Sequence, residues 1–422
     1  MKKIFTLLAL MVAIGASAEI TEVDLNEGSN IKVILGANFN NVDSLKVTGY
    51  LSHSNLEKIA WQTRSKIRYL DLGDCEVENN EIPECGINPM PHSVISEDPL
   101  IYYNVLSELI LPKNLEKIGA FAVSTTWIKY LDIPKSVKSI GEYAFDCCHN
   151  LQGKVVIPDN VDSLFMHCFY YDDKITEIEL SRNLKYIEEG ALAGLINLKA
   201  IAFPEGLEVI GYDACAAWYN FEQEQITFPS TLKTLEGKAF RYSRIKDIVF
   251  NIDCPLQEIG QKAFESNKVV QRIVLPKHLK VIDSDAFNKC TELISVYVAA
   301  TEPPTINLST FSELEQKTLY VPVGAREAYA ATEYWKDFGE IVEVEEFPSA
   351  GREAVIAASE AVRAFGACGA AVIEGDGCGY TIYAADGRMV AAGTANGRTE
   401  VALPRGIYIV DTAGGAHRIA VR

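Results

Sequence analysis

Ten cysteines and six histidines are the side chains of this 422-residue chain best suited to nucleophilic or metal chemistry. Their spacing supports neither. His53, His92, His149, His167, His278 and His417 are scattered, with no two at i, i+4 and no H-E-x-x-H, so no helix face offers a pair of imidazoles. The cysteines form no paired C-x-x-C, and Cys147 and Cys148 are adjacent, which rules out a zinc loop between them. Neither a Walker glycine loop nor a G-x-S-x-G elbow occurs. Gly375-Asp376-Gly377-Cys378-Gly379 is glycine-rich but lacks Lys-Ser/Thr, and reads as a flexible linker. Carboxylate neighbours such as Asp172-Asp173, Glu188-Glu189 and Glu345-Glu346 are what an acidic chain places on a solvated face. The expectation is a non-enzyme without metal or cofactor.

Several of the cysteines instead fall into register with a repeated unit. It reads apolar-x-apolar-Pro-x-x-Leu-x-x-Ile-Gly-x-x-x-Ala-Phe-x-x-Cys-x-x-Leu. Leu131-Asp132-Ile133-Pro134 is followed by Val137, Ile140, Ala144 and Phe145; Pro276 is followed by Leu279, Ile282, Ala286 and Phe287. The marker positions Pro112, Pro134, Pro158, Ser181, Pro204, Pro229, Asp253 and Pro276 step by 22 to 25 residues. That period belongs to leucine-rich-repeat solenoids. One unit cannot bury its own apolar face, so neighbours must stack into a shared core. The alternation before each proline predicts a short strand, which proline ends because it has no N–H to donate. The Leu-x-x-Ile step then predicts a turn, with Gly119, Gly141, Gly211 and Gly260 at a tight bend. Cys148 and Cys290 sit three residues after the phenylalanine, Cys168 takes the alanine place and Cys215 the phenylalanine place. Each reads as a small buried hydrophobe. Cys75 with Cys85, and Cys368 with Cys378, fall outside these ladders and are the pairs that would close short loops if disulfides form.

This pattern resembles the BspA-like leucine-rich repeats of surface proteins from Bacteroidetes and some mucosal protists. The resemblance covers roughly residues 105–345, with looser copies at Leu45-Lys46-Val47 and Ile67–Leu72. Glu302-Pro303-Pro304, Leu319-Tyr320-Val321-Pro322, Ala328-Tyr329, Trp335, Phe338 and Ile341 resemble the family's closing repeat. It implies a binding or adhesive role.

The ends carry address signals. Met1–Ala18 joins two lysines, an apolar run and Ala16-Ser17-Ala18, the form of a signal peptide too short to span a bilayer. Residues 349–371 are rich in alanine and glycine and read as a linker. Beyond them, Asp386-Gly387 and Asn396-Gly397 lie between short alternating runs, the favoured hairpin turns of a small antiparallel sandwich. Asp386-Gly387-Arg388 followed by Leu403-Pro404 and Gly406-Ile407-Tyr408 resembles the C-terminal sorting domain of the type IX secretion system. That resemblance implies export machinery as a partner. The expected organisation is a signal peptide (1–18), an N-terminal cap with irregular repeats (19–104), a solenoid with its capping repeat (105–348), a linker (349–371) and a sorting sandwich (372–422).

A net charge of −18 disfavours phosphate backbones and anionic membrane surfaces as partners. The alternate strand residues point outward in two columns. Glu108, Tyr130, Lys154, Glu177, Ala200, Gln225, Asp247, Arg272 and Ser295 form one; Ile110, Asp132, Val156, Glu179, Ala202, Thr227, Val249, Val274 and Tyr297 form the other. From these, Tyr130, Glu177, Glu179, Gln225, Arg272 and Tyr297 are the candidate contacts for an extracellular protein or glycan. Residues 79–104, with four prolines and Tyr102-Tyr103, read as a long loop. The sequence thus predicts a secreted, surface-displayed binding protein. The alternatives are a non-adhesive envelope component, or an enzyme or inhibitor acting through the 79–104 loop or the terminal domain.

Overall fold

Each repeat lays its chain along three sides, and every side hydrogen-bonds to the same side of the next repeat. The computed structural model describes residues 20–88, 104–348, 363–367, 370–384, 389–404, 406–412 and 415–421. Two compact units result, Met1–Phe347 and Pro348–Arg422.

The first side is the expected strand in most repeats, although residues 131–133 and 201–203, also expected as strands, form none. Gln225–Phe228, Asp247–Phe250, Arg272–Leu275, Ser295–Val298, Thr318–Pro322 and Glu340–Val344 form a six-stranded parallel sheet. The register is strict: Ile226, Ile248, Ile273, Val296, Leu319 and Ile341 stand opposite one another in turn. A one-residue slip would turn every one of these side chains to the wrong face.

The second side corrects the expected turn. Ser163–Leu164, Tyr186–Ile187, Val209–Ile210, Thr234–Leu235, Glu258–Ile259 and Val281–Ile282 are two-residue strands in a second parallel sheet. The conserved spacing of Leu-x-x-Ile therefore sets a leucine at a corner and an isoleucine in a strand. The glycine that follows is not in a left-handed bend. A Cβ on Gly119 would lie 2.5 Å from the backbone nitrogen of Glu84, and one on Gly141 2.6 Å from that of Ala120. Glycine is needed here because consecutive repeats approach backbone to backbone.

The third side carries the Ala-Phe pair. Tyr143, His167, Asp213, Lys238, Lys262 and Asp285 adopt positive φ, and so do Cys147, Tyr171, Ala217, Tyr242, Ser266 and Lys289, each four residues later. A left-handed non-glycine residue costs about 1–2 kcal/mol. Each turn offsets that cost by giving the amides on this side a partner in the next repeat. Phe145 N–H donates to Cys168 O at 2.9 Å, Phe240 to Ala263 at 2.7 Å and Phe264 to Ala286 at 2.8 Å.

Between the sides runs one continuous apolar cluster from Val23 to Phe338. Leu115, Val137, Leu184, Leu207, Leu232, Leu256 and Leu279 are all buried within it, as the repeat register requires. The phenylalanines stack face to face: Phe240, Phe264, Phe287 and Phe311 follow one another with ring centroids 5.2–5.3 Å apart. Trp335 closes this end, its Nε1 donating to Pro304 O at 2.7 Å, beside Tyr329 donating to Ala300 O at 2.8 Å.

The N-terminal part is more regular than its sequence suggested. Thr21–Leu25, Ser44–Leu51, Tyr69–Val77 and Glu108–Ile110 form a parallel sheet, with helices Ile31–Leu35 and His53–Thr63 between the first three strands. Buried Asn55 ties two of these turns together, accepting from Ile31 N–H at 3.1 Å and donating to Ser29 O at 2.9 Å. The expected 79–104 loop is also corrected in its first part. Glu81–Ile82 pairs with Lys117–Ile118, and buried Ile87 donates its N–H to Ala122 O, because these apolar residues keep the spacing of a repeat. Residues 89–103, with Tyr102 and Tyr103, lie outside the described residues, as does the expected signal peptide.

The second unit consists of antiparallel strands. Arg363–Ala367, Ala370–Ala384, Met389–Ala402, Gly406–Thr412 and Gly415–Val421 join in one sheet. Three expectations change here. Arg363–Ala367 is a strand within the stretch read as linker, Gly375–Gly379 lies inside a strand, and Asn396-Gly397 pairs opposite Asp376 and Gly375 instead of turning. Small residues lack bulk but keep both backbone hydrogen-bonding groups, so they pair readily once a neighbour is present. A register shift between Asp376 and Cys378 absorbs the extra residue as a bulge. Asp386-Gly387-Arg388 lies outside the described residues.

Candidate binding surface

The outward columns are less open than alternation alone implies. Tyr130 is 67% exposed, and its hydroxyl accepts from Gln152 Nε2 at 3.0 Å. Glu177 and Glu179 are exposed and converge on Lys154 Nζ, at 2.8 and 2.9 Å. Bonding to Glu177 above all raises the lysine's pKa. Gln225, Asp247 and Arg272 stand on neighbouring strands. The Arg272 guanidinium lies 2.7 Å from Asp247 and 3.5 Å from Gln225 Oε1. Tyr297 stacks on Tyr320 with centroids 4.2 Å apart and meets the edge of Phe347 at 6.5 Å. Val249 and Val274, expected to point into solvent, are buried at 1% and 0% exposure. Both are apolar, so hiding them removes surface from water. The structure therefore brings Gln225 to Arg272 and Glu177 to Glu179. It leaves Tyr130 and Tyr297 at opposite ends of the array.

Sequence reasoning missed two adjoining grooves beside the strand starts. One, of about 430 Å3, is lined by Lys199, residues 220–224, Arg244, Lys246, Val269, Gln271 and Glu292. The other, of about 310 Å3, adds Tyr219, Tyr242, Ser243, Ser266 and Lys268, and shares Arg244 and Val269 with the first. Lys199 pairs with Glu222 at 2.5 Å, and Lys246 pairs with Glu224. A signal was present: the unit beginning at Pro204 is 25 residues long, and its extra length falls in the segment that lines both grooves.

The buried reactive groups are structural. Cys148, Cys168 and Cys215 are fully buried, and burial pushes their thiols well above the ordinary value. The Cys148 thiol donates to Val123 O at 3.3 Å and that of Cys290 to Phe264 O at 3.4 Å. Cys75 and Cys85, one of the two pairs that would bond if disulfides form, are both free thiols. Cys75 is on a first-side strand and gives its thiol hydrogen to Val47 O at 3.0 Å, while Cys85 occupies a left-handed place on the third side. Burial raises the Cys75 pKa to about 12. The Cys368–Cys378 pairing rests on positions outside the described side chains. Asp172 is also fully buried. Its Oδ1 accepts from Cys148 N–H at 2.7 Å, and desolvation holds its pKa far above the carboxylate range. Among the described residues no three His, Cys, Asp or Glu side chains are grouped to hold a metal ion, and no helix is long and apolar enough to cross a membrane.

The family of the BspA type leucine rich repeat region matches residues 95–222 and 214–329 in 6 copies, more than half of the 422 residues. The chain belongs to the BspA-type leucine-rich-repeat family. Among solved structures this BspA-type protein is similar to a leucine-rich repeat protein from Bacteroides ovatus, at 20% identity over 70% of this chain and 84% of that one, with a TM-score of 0.40. It is also similar to the pneumococcal vaccine antigen PcpA, at 14% identity, 72% and 80% coverage and a TM-score of 0.35. A leucine rich cell surface protein from Faecalibacterium prausnitzii is 15% identical over 79% of this chain and 86% of its own, with a TM-score of 0.31. No curated protein matches the sequence.

Proposed function

We propose that this is a secreted, surface-displayed binding protein whose repeat surface adheres to an extracellular protein or glycan. One contrast carries the reading. The inward positions hold nearly the same residue in repeat after repeat, whereas the residues around the strand starts and along the outward face mostly change from rung to rung. A laddered interior with a varied exterior is how a solenoid presents an extended recognition surface. Cys148, Cys168, Cys215, Cys290 and Asp172 are sealed in the core, which favours binding over catalysis at these groups. The terminal strands, in this reading, form a small antiparallel sorting domain that addresses the protein to export machinery after its signal peptide is removed. Tyr130, Glu177, Glu179, Gln225, Arg272 and Tyr297 remain candidate contacts on the outward face.

The test is a binding array of matrix proteins, host glycans and partner cells probed with the mature chain. Saturable binding to one class is the expected result; failure to bind any of them overturns the reading. For the address, deleting residues 372–422 should leave the melting of the repeat body unchanged while the protein accumulates in the periplasm. Normal surface levels of the truncated chain would contradict the sorting role.

A further inference from the structure

The two grooves that meet at Arg244 and Val269 have a charge and shape that single out a ligand class. Lys199 and Lys246 are already neutralised by Glu222 and Glu224. Arg244 and Lys268 are exposed and enter no ion pair among the described residues. On a chain of net charge −18 this leaves a local seat for an anion. The smaller groove adds Tyr219 and Tyr242, exposed at 49% and 41%. The lining residues come from five consecutive repeats. With rungs spaced about 4.8 Å apart, the cleft runs roughly 20 Å along the array.

We propose that this cleft binds an acidic oligosaccharide, a chain of pyranose rings carrying carboxylates. The inference rests on the binding role proposed above and names a site and ligand class for it. A guanidinium is a planar fork that matches a carboxylate bidentately, and Arg244 meets no carboxylate among the described residues. The exposed Tyr219 ring gives a pyranose an apolar face to lie on, beside Tyr242 with the Arg241 guanidinium 4.3 Å over its ring, while Gln271 and Glu292 offer donor and acceptor atoms to the hydroxyls. An acidic peptide fits less well. It would bring a carboxylate at nearly every residue past Glu222, Glu224 and Glu292, which line the same groove. A uronate chain spaces its charges by whole sugar rings and fills the intervals with hydroxyls.

The experiment is calorimetric titration of the full chain with a tetragalacturonate, its methyl ester and a tetraglutamate peptide. The free acid should bind, and weaken as salt rises. The ester, with the same rings and no charge, should bind at least about tenfold more weakly, as should Arg244→Gln with the free acid. Tyr219→Ala should also lose affinity, whereas Glu327→Gln, exposed and outside the cleft, should not. Arg244 is exposed, so an unchanged melting temperature in its variant confirms an intact fold. Absence of binding, equal binding of acid and ester, an Arg244→Gln variant that binds like wild type, or tighter binding of the glutamate peptide would each overturn the proposal. If the variant still binds an array ligand as wild type does, the site fails while the binding role stands.

Discussion

The interior of the solenoid and the groove across repeats 199–292 are built from the same units, yet they answer to opposite rules. Inside, Phe264 lies between Phe240 and Phe287 with both rings nearly parallel to its own, and Leu207 occupies the same buried place as Leu184 and Leu232. Around the groove, equivalent strand-start segments supply Lys199, Glu222, Arg244 and Gln271 in succession. Repetition gives stability, because each rung completes its neighbour. Variation gives recognition, because an extended ligand then meets a different group at each rung. Substitutions should separate the two properties cleanly.

The largest effect falls on the interior. Phe264→Ala should lower the stability of the repeat body by about 3–5 kcal/mol, since the cavity opens in the middle of a stack; a urea titration measures it. Leu207→Ala should follow at about 2–5 kcal/mol by the same measurement. Both should leave the groove's charge unchanged.

A third substitution tests a buried charge. Asp172 has its folded pKa raised by desolvation, with Asp146 and Asp173 opposing ionisation further. The group therefore favours the folded state at pH below its unfolded value of about 3.9, and that contribution is lost as pH rises through the folded pKa. The urea midpoint of wild type should fall with rising pH more steeply than that of Asp172→Asn, which keeps the neutral shape. Parallel pH profiles would show that Asp172 is ionised in the native state. The smallest effect belongs to the surface: Glu177→Gln weakens one half of an exposed ion pair and should change stability by under about 1 kcal/mol in a thermal melt.

How far the sequence could be read follows from the same contrast. Positions that recur, such as Leu115, Val137 and Phe145, announce themselves by period and were buried as their spacing required. The second sheet escaped notice because a two-residue strand has no internal alternation to detect. Helix His53–Thr63 lacked the proline marker, although its buried Leu56, Ile59, Ala60 and Thr63 follow a helical spacing. The paired left-handed residues were illegible because tyrosine, lysine and aspartate hold them as a consequence of inter-repeat hydrogen bonds, not of their own preference. The groove depends on which strand-start residues face one another across rungs, and that exists only once the repeats are stacked.

Hydrogen exchange at the third-side amides tests the central claim, that the repeats form one continuous ladder, most directly. The N–H groups of Phe145, Phe169, Cys215, Phe240, Phe264 and Phe287 each donate to a carbonyl of the following repeat at 2.7–3.0 Å. Their exchange should be slow and similar throughout, because opening any one requires parting two stacked rungs. Fast exchange at these amides, comparable to that of exposed segments such as Leu308, would contradict the ladder.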